Sequence, residues 1–146
     1  MRWVLNLYPP FLLQRIVVSS ISDDYLHAVV GVRRSPLNFN LAGTTFGGSL
    51  YSAADPLHAL MYWQSFAQEG QRIEAWTRGA EIRFRRPAGK HVELHFHLEP
   101  ADLDAARAAL AETGRYDATH PVQAVDSDGQ VCVEFQVSVT LKRPRG

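Results

Sequence analysis

The apolar positions change period along this chain, and the changes divide it into elements. Val92, Leu94, Phe96 and Leu98 alternate with His91, Glu93, His95, His97 and Glu99. Val131, Val133, Phe135, Val137, Val139 and Leu141 alternate in the same way with Cys132, Glu134, Gln136, Ser138 and Thr140. A two-residue period gives each strand one apolar face. Ile82 and Phe84 alternate with Glu81, Arg83 and Arg85, and Pro87-Ala88-Gly89-Lys90 reads as a hairpin connection to the strand at His91. Tyr116 to Val125 is expected to pair with Gln130 to Lys142 through Asp126-Ser127-Asp128-Gly129. Two earlier β-rich runs, Ile16 to Ser22 and Tyr25 to Arg33, flank the turn Asp23-Asp24, and Pro9 or Pro10 starts a short helix over Phe11 to Arg15. Ser35 to Thr45, with Pro36, two asparagines and Gly43, reads as loop.

The period then lengthens. Gly47 to about Ala67 is expected to form one long helix, ended by Gly70. Leu50, Tyr51, Ala54, Leu57, Leu60, Met61, Trp63 and Phe66 cannot share a single stripe, so this helix should be buried almost all round. One sheet wraps only part of a helix, so a second subunit is expected to cover the rest. Ala101 to Glu112 is a shorter, Ala-rich amphipathic helix closed by Gly114. An early apolar helix followed mainly by amphipathic antiparallel strands is an α+β pattern. No repeat or linker divides residues 1–146, which read as a single domain.

Composition mostly excludes. Fifteen basic residues balance fifteen acidic ones, so no global field recruits nucleic acid or a membrane, and any electrostatic steering must be local. Cys132 is the only cysteine and reads as an inert strand residue, which fits a reducing, cytoplasmic setting. The apolar stretches Phe11 to Leu13 and Ile16 to Val18 are interrupted by Gln14 and Arg15 before reaching membrane-spanning length. His91, His95 and His97 share a strand face with metal-like spacing, but nothing nearby completes a tetrahedral set, so no metal is expected.

The candidate chemistry lies between Asn40 and Pro56, N-L-A-G-T-T-F-G-G-S-L-Y-S-A-A-D-P. Gly47 and Gly48 lack a Cβ, and the first amides of a helix have no intrahelical acceptor, so a polarised carbonyl oxygen can dock there. Asp55 follows Gly48 by seven residues, about 10 Å along a helix axis, and is the only carboxylate between Asp24 and Glu69. Asp55-Pro56 is also what an N-cap and first-turn proline look like, in a helix that breaks at Ala54 and restarts. Arg83, Arg85, Arg86 and Lys90 form the one dense basic cluster, suited to phosphates or to ion pairs with Glu81 and Glu93. His58, one turn after Asp55, either bonds to it or packs.

The segment Thr45-Phe46-Gly47-Gly48-Ser49-Leu50-Tyr51-Ser52-Ala53-Ala54-Asp55-Pro56 resembles the hotdog-fold acyl-CoA thioesterases of the phenylacetate-pathway type, and more closely a branch of uncharacterised hotdog domains. The order of elements agrees over nearly the whole chain. The resemblance implies a long central helix wrapped by a curved antiparallel sheet, a homodimer or dimer of dimers, and hydrolysis of an acyl-CoA thioester. It casts Asp55 as nucleophile or general base, the Gly47 amide as donor to the thioester oxygen, and Asn40 as the side chain orienting water or substrate. Asparagine in such a loop also commonly bonds its own backbone. Gly48 and Thr45 would contact substrate, and Arg83, Arg85, Arg86 and Lys90 would lie beside the nucleotide of coenzyme A, which enters as part of the substrate and not as a cofactor. Tyr51 and Trp76 are candidates for an acyl tunnel. The thioesterases carry His-Gly-Gly where this chain has Phe46-Gly47-Gly48, and the uncharacterised relatives commonly carry histidine at the place of Thr45. That departure keeps open a non-catalytic binder of acyl-CoA or acyl carrier; a hydratase using His58 is a further, weaker alternative.

Overall fold

A computed structural model describes residues 1–89 and 91–144; Lys90, from the basic cluster, lies outside the described residues. The elements run α1 (Arg2–Leu7), α2 (Pro9–Leu13), β1 (Ile16–Ile21), β2 (His27–Arg33), α3 (Gly47–Ala54), α4 (Leu57–Gln68), β3 (Glu74–Phe84), β4 (His91–His97), α5 (Pro100–Thr113), β5 (Arg115–Asp126) and β6 (Val131–Lys142). The six strands form one sheet in the order β1-β2-β4-β5-β6-β3, with every neighbouring pair antiparallel. Its apolar face closes over α3 and α4, which is the hotdog architecture expected from the sequence. The period-two faces meet the helix as anticipated: Val92, Leu94 and Phe96 from β4 and Val133, Phe135, Val137 and Val139 from β6 are buried with Leu57, Met61, Tyr62 and Phe66 of α4. None of the helices among the described residues is long and apolar enough to cross a membrane.

The structure departs from the expected elements in several places. Pro87-Ala88-Gly89-Lys90 is not a hairpin, because β3 pairs with β6 at the far edge and β4 pairs with β2 and β5. The segment crosses between distant strands, and the Ala88 carbonyl accepts the Thr45 N–H at 2.8 Å, tying the crossover to the entry of α3. Strand β3 also starts earlier than the alternation at Glu81 suggested, because it runs through a bulge at Arg78-Gly79 that breaks the simple period. The long helix is divided at Asp55-Pro56. Proline has no N–H to continue the ladder, although Asp55 keeps right-handed helical angles (φ −57°, ψ −59°). Nor is the helix buried all round: Tyr51, Asp55 and Trp63 are exposed on the single chain.

The two sheet edges are treated differently. At β1, Asn6 of α1 stands in for a further strand, its Oδ1 accepting the Val18 N–H at 2.7 Å and its Nδ2 donating to the Val18 carbonyl at 3.2 Å. Arg2 Nη1 donates to the Ser19 carbonyl at 2.9 Å. At the other end, β3 offers its outer edge with no neighbouring strand among the described residues. Between β4 and β5 the ladder stops at His95 opposite Gln123; the next step in register puts His97 across from Pro121, which has no amide hydrogen to give.

Candidate active site

The loop before α3 is braced from within. Asn40 Oδ1 accepts the amides of Ala42 (3.0 Å) and Thr44 (3.1 Å), and its Nδ2 donates to Thr44 Oγ1 at 2.8 Å. Asn40 therefore spends its side chain on its own loop, with its flank facing a cleft. The Phe46 amide donates to the Asn38 carbonyl at 2.7 Å, and Asn38 Nδ2 reaches the carbonyls of Gln14 and Arg33 at 2.6 and 2.8 Å. This scaffold holds the first turn of α3, where the amides of Gly47 and Gly48 meet no acceptor among the described residues.

A side chain at either place would have to displace an exposed aromatic ring. A Cβ on Gly47 would lie 2.9 Å from the Phe84 ring, and one on Gly48 would lie 2.4 Å from the Phe46 ring. The cleft over Gly47, about 490 Å³, is lined by Asn40, Thr44, Thr45, Leu50 and Phe84, with Arg85 and Arg86 on its rim. Arg85 is paired to Glu134 at 2.7 Å, whereas the Arg86 guanidinium donates to the neutral amide oxygen of Gln130 at 2.5 Å and has no carboxylate partner among the described residues. Arg83 pairs with Glu81 at 3.0 Å and does not line this cleft. The Thr45 hydroxyl is buried and has no hydrogen-bond partner among the described residues.

Asp55 lies in a second, separate cleft of about 310 Å³, lined by Leu5 of α1, by Pro56 just before α4, by Ala59, Leu60 and Trp63 of α4, and by Ala75, Trp76 and Thr77 of β3. It is the single carboxylate among these walls. Thr77 Oγ1 donates to the Asp55 carbonyl at 2.5 Å and pins the break between α3 and α4 to β3. No side-chain capping bond is made at the start of α4, so the carboxylate is not consumed as a helix cap. Within one chain Asp55 and Gly47 do not share a cavity. Asp55 is exposed there and the water-excluding walls are incomplete.

His58 does not bond to Asp55. It points into the core, where its ring lies 5.2 Å from Phe96 and 4.7 Å from the ring of His120, and neither of its nitrogens has a hydrogen-bond partner. His120 shares its Nε2 with the Tyr62 hydroxyl at 3.0 Å. Burial, reinforced by His120, pulls the His58 imidazole down to about 3, with the nearby His97 backbone opposing the shift. A neutral, enclosed imidazole cannot act on a substrate beside Asp55, which removes the geometric basis of a hydratase. His91 and His95 lie outward beside Glu93, while His97 meets His27 (3.0 Å) and Glu99 (2.6 Å). Among the described residues no group of three or more His, Cys, Asp or Glu is placed to hold a metal.

Trp63, which lines the Asp55 cleft beside Trp76, was not singled out as a site residue by the sequence, nor was Leu5 of α1. Their signal is weak, because an aromatic at helical spacing reads as core.

A family model described as a domain of unknown function (DUF4442) matches residues 1–141. No curated protein sequence matches the chain. Solved structures do. The Pseudomonas aeruginosa protein PA5026, of unknown function and described as a probable thioesterase, is similar over 97% of this chain and 92% of its own, with a TM-score of 0.85 and 18% identity. The PaaI protein of the Escherichia coli phenylacetic acid degradation operon is similar over 99% and 90%, with a TM-score of 0.67 and 16% identity. The Haemophilus influenzae thioesterase HI1161 is similar over 96% and 87%, at 0.69 and 9%. These structures share the hotdog fold with the chain.

Proposed function

The chain belongs to the DUF4442 family, and on that premise we propose that it hydrolyses an acyl thioester, an acyl-CoA in the first instance, at sites built between two copies. The observation that carries the reading is the placement of the two half-sites at opposite ends of the open strand. Ala75, Trp76 and Thr77, at the start of β3, wall the Asp55 cleft, while Phe84, at its end, and the following Arg85 and Arg86 wall the Gly47 cleft. If two β3 strands pair antiparallel about a two-fold axis near Gly79, residue 74 of one copy faces residue 84 of the other. Asp55 of each protomer then approaches Gly47 of its partner, twice per dimer. The exposed Tyr51 and Trp63 become covered in the same step.

The chemistry follows from the groups assembled. Asp55 takes a proton from water, the oxygen bonds to the carbonyl carbon, and the charge that gathers on the carbonyl oxygen is met by the Gly47 amide at the head of α3. The C–S bond breaks, the thiolate leaves, and the proton on Asp55 returns to sulfur; direct attack by the carboxylate would use the same placement. Leu5, Leu60, Trp63 and Trp76 supply apolar walls for an acyl group, and Arg86, with no carboxylate partner, is the cation best placed for a phosphate of coenzyme A. The descriptions of two similar structures, PA5026 as a probable thioesterase and HI1161 as a thioesterase, support the same reading.

A panel of acyl-CoA esters with a thiol-reactive dye tests it. The wild-type protein should release thiol, and Asp55→Ala should lose turnover by on the order of a hundredfold or more while keeping its thermal transition. Wild-type rates in Asp55→Ala would refute the assignment. The second reading, a binder that has lost turnover, draws on the hydrophobic Phe46 and the enclosed Thr45 hydroxyl at the places where the sequence resemblance implies histidine. Saturable acyl-CoA binding without thiol release by the wild-type protein would select it.

A further inference from the structure

We infer that one end of the molecule, formed by α2 and the loop between β2 and α3, docks on an anionic phospholipid surface. Leu12 and Leu13 of α2 are 56% and 61% exposed, and Leu37, Phe39 and Leu41 of the loop are 70%, 46% and 109% exposed. Asn38 ties these two segments together, bonding the Gln14 carbonyl that follows α2 and the Arg33 carbonyl that precedes the loop. Five large apolar side chains therefore project from adjoining backbone. An apolar group of this size held in water marks an interaction surface.

Charge selects the partner. Arg15, Arg33 and Arg34 are exposed at the same end: the Arg33 amide bonds the Arg15 carbonyl, and the Arg34 guanidinium lies 5.8 Å from the Phe39 ring. The arginine ion pairs among the described residues are made elsewhere, at Arg78, Arg83, Arg85, Arg107 and Arg115. The only acids before Asp55 are Asp23 and Asp24, in the turn at the opposite end of the β1-β2 hairpin, about 20 Å away at the rise of a strand. Acids of later strands reach the same end of the sheet, Glu93 opposite Gly31 and beside His91 and His95, and Asp126 opposite Val92, yet Arg15, Arg33 and Arg34 form no ion pair among the described residues, so the sequence-level exclusion of a membrane, which rested on the total, does not cover this end. Aliphatic side chains standing proud of the surface, with guanidinium groups behind them, match a soft interface of acyl chains and phosphates better than a shaped protein pocket. The patch also borders the Gly47 cleft, since Asn40, Ala42 and Thr44 of the same loop line it. A long-chain acyl thioester, which partitions into bilayers, would reach that cleft without crossing open water.

Co-sedimentation with sucrose-loaded vesicles tests the inference. The wild-type protein should pellet with phosphatidylcholine vesicles that contain phosphatidylglycerol, should be released by raised salt, and should stay in solution with phosphatidylcholine alone. Leu13→Glu combined with Leu41→Glu should lower the partition about tenfold or more, and Arg33→Glu with Arg34→Glu should do so independently. Both pairs are exposed and should keep the wild-type thermal transition and the wild-type rate on a short, soluble acyl thioester. Failure of the wild-type protein to pellet, equal pelleting of wild type and variants, or equal pelleting with both vesicle types would overturn the inference. So would a smaller particle in sedimentation velocity for the leucine variant with vesicle binding unchanged, which would make the patch a contact between copies. The vesicle and sedimentation readouts need no turnover, so a negative result in them leaves the thioesterase reading standing.

Discussion

His58 shows how one residue can set the pH range of the whole protein. Its imidazole is fully buried without a hydrogen-bond partner and is held neutral down to about 3, and burial lowers His120 beside it as well. The unfolded chain takes up these protons near the ordinary histidine value of 6.5, whereas the folded chain refuses them, so stability is intact above pH 6.5 and falls as the solution is acidified towards 3. The paired carboxylates enter only later, because Asp117 and Glu69, lowered by their bonds to Arg115 and Arg107, matter below their ordinary values of 3.8 and 4.5. Urea unfolding between pH 6.5 and 5 should therefore show a steady loss of stability, and His58→Leu should flatten that slope by up to about 1.4 kcal/mol per pH unit. An unchanged slope in the variant would mean that the ring opens to water before it titrates. At this scale the sequence is readable where the neighbours are local. The self-bonding of Asn40 follows from its spacing to Ala42 and Thr44, and the role of Gly47 and Gly48 as a tight entry follows from their place before an apolar helix. The direction of His58 was not readable, since helical spacing to Asp55 says nothing about which side of the helix the sheet covers.

The break between α3 and α4 is the element on which the proposed chemistry turns. Pro56 removes one rung of the helical ladder, and the Asp55 carbonyl is taken by Thr77 of β3, so the carboxylate is positioned by a strand as much as by its own helix. Thr77→Val deletes that bond at nearly constant volume. It should cost about 1 kcal/mol of stability and lower kcat more than it raises KM for an acyl-CoA, with Thr77→Ser restoring both. Loss of stability with kcat unchanged would reduce Thr77 to a structural tie. Strands β4, β5 and β6 and the closing glycine of α5 (φ 74°) match the alternation and the caps in the sequence, because those signals are local. The neighbour of β3 could not be found that way. A short Pro-Gly connection looks like a hairpin until the sheet order is known, and strand pairing across a sheet is decided by the packing of the whole core.

At the scale of the whole molecule, the proposed two-copy site makes a prediction that no single-chain site makes. Gly47→Val, whose side chain would collide with the Phe84 ring, should be inactive alone, and so should Asp55→Ala. Mixed, unfolded and refolded together in equal amounts, they should recover about a quarter of the wild-type rate, since half of a random population is heterodimeric and each heterodimer holds one intact pair. No recovery, with mixed dimers demonstrated by mass, would place both groups in one chain and sink the shared site. The sequence raised the expectation of a partner through its surplus of apolar helix positions; the docking now proposed was not legible, because it depends on where the open strand ends up.

The unequal treatment of the sheet's two borders limits how far such assembly can go. A ribbon with both margins available can lengthen indefinitely, copy upon copy, as fibrils do. Here Asn6 and Arg2 already occupy hydrogen-bonding groups at Val18 and Ser19, so under the proposed pairing through β3 the margin left open among the described residues would be used up and growth would terminate at a pair. Asn6→Ala should reopen the blocked margin, and light scattering at rising concentration should then report polydisperse, higher-order particles where the parent protein stays uniform.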